Sequence, residues 1–187
     1  MDKLKECATS FQSLIGKEYI IKAGKQKKLI EINLIFKEEH FHHLVGLHKL
    51  KDIQKARGNS KLIFRDILNN KITYEDISKS IFFDDIKNRL NCFVDIESII
   101  DSQELIVQHN LNYSMSAIKA KYIIYTLLPD NTYIYFFIDK DINQKYFGRS
   151  FFQSCDKSYL HERPYKILYK EKIITTNKRV TLINKLK

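Results

Sequence analysis

Three observations in the sequence predict an α+β fold. Apolar residues recur with the helical period of about 3.6 up to residue 103 and with the strand period of 2 beyond it. The strand-like runs follow one another over short connections, and Pro129-Asp130-Asn131-Thr132 between two of them is a strong hairpin turn. Helical segments gather ahead of these strands instead of alternating with them, which favours an antiparallel sheet over a βαβ order. The expected architecture is an N-terminal helix and β-hairpin, central helices, then a four- to five-stranded antiparallel sheet. One domain over residues 1–187 is expected, with a basic tail over 174–187 that frays.

Each element has its own signal. Leu4, Cys7, Ala8, Phe11, Leu14 and Ile15 share a helical face that Gly16 ends. Tyr19 to Ala23 and Leu29 to Phe36 flank a polar, glycine-bearing turn and read as a hairpin. A helix is predicted from Glu38 to Ala56, stopped at Gly58. Ser60 is placed to cap a short helix through Leu68. Thr73 with Asp76 resembles a capping box. Phe83, Ile86, Leu90, Phe93, Ile96 and Ile100 predict one helix over 82–100, with Arg89 off its apolar stripe as a phosphate contact or an ion-pair partner of Asp85. Strands are predicted over 105–109, 119–128, 133–139, 150–154 and 165–173.

At 187 residues and 44% apolar composition the chain can bury a core of its own. A net charge of +10 points to a polyanionic partner, nucleic acid before others, although a lysine-rich composition also raises charge without any partner. Cys7, Cys92 and Cys155 are widely spaced and form no paired motif, so they read as free thiols in a reducing cytoplasm. Charged residues interrupt the first eleven positions, where a signal peptide needs an apolar run, and no stretch approaches the ~20 apolar residues of a membrane span.

The densest cluster of titratable groups is His40-Phe41-His42-His43-Leu44-Val45-Gly46-Leu47-His48, which holds four of the six histidines in nine residues. A metal site is not expected there. On a continuous helix His40 and His48 stand ~12 Å apart along the axis, too far to share an ion, and His43 and His48 point in different directions. No HExxH pattern, CxxC pair or neighbouring cysteine completes a ligand set, and no cofactor motif is present. Two readings stay open. The imidazoles line a core with their nitrogens satisfied, or at least one of His43 and His48 touches a phosphate or moves a proton. Gly46 leans towards the second, because glycine within a helix costs up to about 1 kcal/mol and marks a close approach.

The strands carry cations among aromatics. Lys119 and Lys121 share a face opposite Tyr122, Arg149 and Ser150 follow Gly148, and Lys166, Lys170 and Lys172 extend the basic surface. Interleaved with Tyr122, Tyr125, Tyr133, Tyr135, Tyr165 and Tyr169, they suit single-stranded RNA through phosphate contacts and stacking, though tyrosine also simply favours strands. Walker A, GxGxxG and GxSxG motifs are absent, as are acidic metal clusters. Cleavage of RNA without a metal needs a base, an acid and cations for the developing charge, and His, Lys, Arg, Ser and Tyr supply them.

Four segments resemble a known family: His40 to Asp52, Lys79 to Leu90, Ser116 to Tyr122 and Phe147 to Phe152. They are similar to the phage-associated barnase, EndoU, colicin and RelE-like (BECR) nuclease domains of mobile elements, over most of the chain from about Phe11 to Lys172. The resemblance implies an α+β fold, metal-independent endoribonuclease activity without a cofactor, and a toxin or phage-conflict role with an antitoxin or host protein as partner. It implies His43 or His48 as acid and base, Arg149 and Lys119 as phosphate clamps, Ser150 as an orienting donor, and Lys49 and Tyr122 against the nucleic acid, where the basic strand surface read above adds Lys121 and Lys170. The family's catalytic groups generally lie on the sheet, whereas these histidines are expected on a helix. The alternative is a non-catalytic basic phage or mobile-element protein that binds nucleic acid or a host protein.

Overall fold

The computed structural model describes residues 2–110, 117–175 and 178–186; Ser116, which opens the third family-like segment, and residues 176, 177 and 187 of the expected tail lie outside them. Helix α1 (Lys3–Gln12) starts where Asp2 accepts the Lys5 amide, and the same carboxylate accepts the amide of Tyr74 at 2.7 Å. One side chain thereby caps α1 and holds the start of α4 (Tyr74–Ser78), where the Thr73/Asp76 capping box forms as expected. The buried face of α1, Leu4, Cys7, Ala8 and Phe11, meets a group of aromatic rings that includes Phe36, Phe41, Phe64 and Phe93. Helix α3 (Ser60–Leu68) is capped by Asn59, which accepts two amides; Ser60 is its first residue and not its cap.

Two predicted long helices are broken. The histidine segment forms only α2 (His40–Leu44) and two short 3-10 turns, Leu47–Lys49 and Gln54–Ala56. The 82–100 segment divides into α5 (Asp84–Phe93) and α6 (Ile96–Ser102). α6 is fixed on its own: Glu97 pairs with Lys17 at 2.5 Å and Lys172 at 3.0 Å, and Asp101 accepts from Lys172 and from the Tyr19 hydroxyl.

The sheet has eight strands among the described residues, where four or five were expected: β1 (Glu18–Lys25), β2 (Lys28–Ile35), β3 (Leu105–Gln108), β4 (Tyr122–Leu127), β5 (Tyr133–Lys140), β6 (Tyr146–Ser154), β7 (Tyr165–Thr175) and β8 (Lys178–Asn184). Their order is β1-β2-β6-β5-β4-β3-β7-β8, and β7 also pairs with β1 along Lys166 to Ile173, so the sheet curls back on itself. Every pairing is antiparallel except one parallel contact, Leu34 with Tyr146, between β2 and β6. The tail expected to fray supplies β8, which pairs with β7 from Tyr169 to Thr175.

Both sides of β4 and β5 are covered. Tyr122, Ile124, Ile134, Phe136 and Ile138 join the core that packs the helices. Ile123, Tyr125, Tyr135 and Phe137 alternate to the other side and are covered by Ile118, Ala120, Tyr159 and Leu160. Tyr122, Tyr125, Tyr135 and Tyr165 are therefore buried, and the plainer reading of these tyrosines as strand-forming core residues is the one the fold uses.

Lys170 is also inside. It has no exposed surface, and its ammonium donates to the carbonyls of Ile100 (2.7 Å), Asp101 (3.0 Å) and Gln103, closing the C-terminal end of α6. Burial pushes its pKa down to about 8, against the charges of Asp101 and Glu104, which favour the protonated form. Lys170→Met leaves those carbonyls unpaired and is expected to cost about 2 kcal/mol, read as a loss of roughly 4–8 °C in Tm. An unchanged Tm in a thermal melt would show that the ammonium caps nothing of consequence.

Candidate active site

The break in the histidine segment builds the site. Gly46 has a φ of +86°, which residues with a side chain rarely adopt, and it turns the chain between α2 and the 3-10 turn. An ideal Cβ at Gly46 would lie 2.8 Å from Ile86 Cγ2 and 3.2 Å from Arg89 Nε, so α5 packs directly on this backbone. The turn brings the rings of His43 and His48 to a centroid distance of 4.8 Å, in contrast to the divergent directions they would take on a continuous helix. His42 is buried behind them, 5.6 Å from His43 between ring centres, with Nε2 on the Ala56 carbonyl at 2.8 Å. His40 stands apart: it stacks on Phe147 at 5.0 Å and its Nδ1 accepts the Lys37 amide.

β6 supplies the facing wall. Gly148 lacks the Cβ that would fall 2.8 Å from Leu44 Cδ2 and 2.7 Å from Phe136 Cε2, so α2 lies close against the strand. The next residue, Arg149, occupies a register shift, since Phe137 pairs with Ser150 and Ile138 with Gly148. Its guanidinium stacks over Phe147 at 4.7 Å and reaches Asp139 at 3.3 Å. Ser150 is buried and accepts a hydrogen bond from Arg89 Nη1 at 3.1 Å; the same nitrogen donates to the Leu44 carbonyl at 3.3 Å. Arg89 thus ties α5 to both walls. The sequence left it as a phosphate contact or a partner of Asp85, and its central place had only the neighbouring Gly46 as a signal.

His43, His48, Lys49, Lys119, Arg149 and Ser150 all line one cavity of about 450 Å³, completed by Ala117 and Ile118. The other residues expected at the site lie elsewhere. Lys121 is exposed with its ammonium 5.9 Å from the Tyr122 ring, Tyr122 is buried against Tyr146 and Tyr165, and Lys170 caps α6. Lys170, fully enclosed, presents nothing to an external polyanion.

The cavity is cationic, and its imidazoles are held neutral. Crowding by protein atoms, then the charge of His43, Arg89, His42 and Lys49, holds the pKa of His48 down to about 4. Crowding, His42 and Arg149 hold His43 below the usual histidine range, and crowding with Arg89 lowers Lys49. Burial also takes His40 down to about 4. The unfolded chain binds these protons near pH 6.5, whereas the folded chain does not. Stability is therefore greatest above that pH and is expected to fall as pH drops towards 4. Urea midpoints between pH 7 and 5, above the carboxylate range, check this; a slope that persists in His40→Gln/His48→Gln would assign it to other groups.

Among the described residues no group of three or more His, Cys, Asp or Glu side chains is placed to hold a metal ion, and no helix is long and apolar enough to cross a membrane. No curated protein and no solved structure matches the chain. A family model does, over residues 3–187, and its description is phage-Barnase-EndoU-ColicinE5/D-RelE like nuclease 4. Nearly the whole sequence is matched, in agreement with the mixed architecture just described and with a nuclease-like function, so the chain belongs to the phage-Barnase-EndoU-ColicinE5/D-RelE like nuclease 4 family.

Proposed function

We propose that the chain is a metal-independent endoribonuclease. The observation that carries this reading is the pair of imidazoles, 4.8 Å apart, lining one cavity together with Lys119 and Arg149. One ring takes the proton of a 2′-hydroxyl, the 2′-oxygen attacks the adjacent phosphorus, and the P–O5′ bond breaks as the other ring gives a proton to the 5′-oxygen. The products are a 2′,3′-cyclic phosphate and a 5′-hydroxyl. Lys49, Lys119 and Arg149 face the charge that grows on the phosphoryl oxygens, and Ser150, held by Arg89, donates to one of them. Both rings are neutral in the free protein at pH 7, so the incoming phosphodiester is what favours a proton on one of them.

The phage association in the family's description supports a conflict role in the cytoplasm of a host, with an antitoxin or host protein as its counterpart. Incubation of the protein with end-labelled RNA in excess EDTA tests the chemistry. Fragments ending in 2′,3′-cyclic phosphate, with DNA of the same sequence uncut, are expected. Intact RNA that still binds with steep salt dependence would favour the non-catalytic reading, which the net charge of +10 alone also supports.

A further inference from the structure

The tip of the β1–β2 hairpin breaks two local rules. Lys25 and Lys28 stand directly opposite one another in the strand register, and like charges so placed destabilise a hairpin. Gln26, which follows Lys25 in the turn, has a φ of +55°, where glycine, asparagine or aspartate is usual. A sequence that gives up stability in one place commonly serves a site there, and a cavity of about 420 Å³ opens beside this tip. Lys25, Arg163 and Lys166 line it; Lys166 comes from β7, where it pairs with Gly24 of β1. Glu162 pairs with Lys25 at 3.2 Å. Among the described residues no carboxylate pairs with Lys27, Lys28, Arg163 or Lys166, and all four are exposed.

The cations do not end at the tip. Lys25 lies over the Tyr165 ring at 5.0 Å, Tyr165 is 6.4 Å from Tyr122 between ring centres, and the Lys121 ammonium is 5.9 Å from the Tyr122 ring. Lys119, two residues before Lys121, lines the histidine cavity. Ammonium groups thus mark a path from the imidazole pair to the hairpin tip, and a row of single cations suits the successive phosphates of one strand. Arg163 at its end offers the paired N–H groups that hold a phosphate in two places. We infer that an RNA strand seated at the imidazole pair continues over Lys121 and lays a distant phosphate against Arg163 and Lys166, so that the protein grips several nucleotides beyond the reacting bond.

The inference rests on the RNA part of the proposed function and not on cleavage, and the test keeps the two separate. Oligouridines with 2′-fluoro sugars lack the attacking hydroxyl, so their affinities report binding alone. Arg163→Gln/Lys166→Gln is expected to weaken a strand of about twelve nucleotides roughly tenfold and to lower its salt slope by about 1.4, the worth of two phosphate contacts. A trinucleotide, too short to reach the tip, should bind as it does to the parent. Lys71→Gln/Lys79→Gln removes the same charge from the helical side and should leave the long strand's slope near the parent value. Lys28→Gln should weaken the long strand while Tm holds or rises, because it removes the repulsion of Lys25; weaker binding with a lower Tm would make the tip structural and overturn the assignment. So would a slope unchanged in the tip variant or lowered equally in the helical one, and an acidic polypeptide would then be the better partner for these cations. The expected slope change without cleavage of ordinary RNA would sink the catalytic proposal and keep this one. Cleavage with no slope change would do the reverse.

Discussion

His48→Ala is expected to lower the rate of RNA cleavage by about 10²–10⁴-fold, the ordinary worth of a positioned acid or base. The ring is at the protein surface, outside the core that packs the helices, so circular dichroism and Tm should stay near the parent values. His43→Ala should be comparable. Because the two act in one step, the double variant should be little slower than either single one. Arg149→Ala removes the stacked guanidinium from the opposite wall and should slow single-turnover cleavage in the same way. The pH profile is the sharper test. Catalysis needs one ring neutral and one protonated, and both rings of the free protein are held below the usual range, His48 down to about 4. The population with a single proton on the pair therefore peaks below about pH 6.5. kcat/KM should rise as pH falls from 8 towards 6 and fall again once both rings are charged, and each single variant should lose one limb of that bell. A profile flat across this range, or a His48→Ala protein that cuts at the parent rate, would remove the imidazole pair from the mechanism.

Much of the fold was legible because its signals are local. The capping box at Thr73 and Asp76, the hairpin over residues 18–35 and the strands on either side of Pro129 depend on near neighbours and form where periodicity and turn chemistry put them. What was not legible depends on distant partners. Nothing in the local pattern says that β1 will lie against β7, and that pairing turns a short sheet after the helices into an eight-stranded one that includes the hairpin. Lys170 illustrates the cost: a lysine in an alternating strand reads as surface until the carbonyls at the end of α6 enclose it. At the site, His43, His48, Lys49, Lys119, Arg149 and Ser150 could be picked out by residue type, and they do share a cavity. Their geometry could not. The run from Glu38 to Ala56 keeps a helical period throughout, and a single glycine within it is tolerable in a helix at about 1 kcal/mol, so the reversal at Gly46 left little trace.

Gly46→Ala should therefore be the most disruptive small substitution at the site. Two costs combine there. A residue with a Cβ held at φ +86° is strained by about 1–2 kcal/mol, and the new methyl would sit 2.8 Å from Ile86 Cγ2 and 3.2 Å from Arg89 Nε, an overpacking worth about 1–3 kcal/mol. Gly16 separates them, since it has the same φ of +86° with nothing within 4 Å of an ideal Cβ. Gly16→Ala should cost only the backbone strain, about 1–2 kcal/mol, and Gly46→Ala about 2–5 kcal/mol from the two terms together. The difference reports how tightly α5 presses on the turn. Ile86 is fully buried and Arg89 is tied to Leu44 and Ser150, so neither can retreat freely, and the backbone of the turn must give instead. That motion separates His43 from His48. RNA cleavage by Gly46→Ala should thus fall well beyond its loss of folded protein, while Gly16→Ala keeps the parent rate per folded molecule. Equal urea midpoints for the two variants would mean that α5 does not hold the turn, and the imidazole pair would then owe its spacing to something other than this contact.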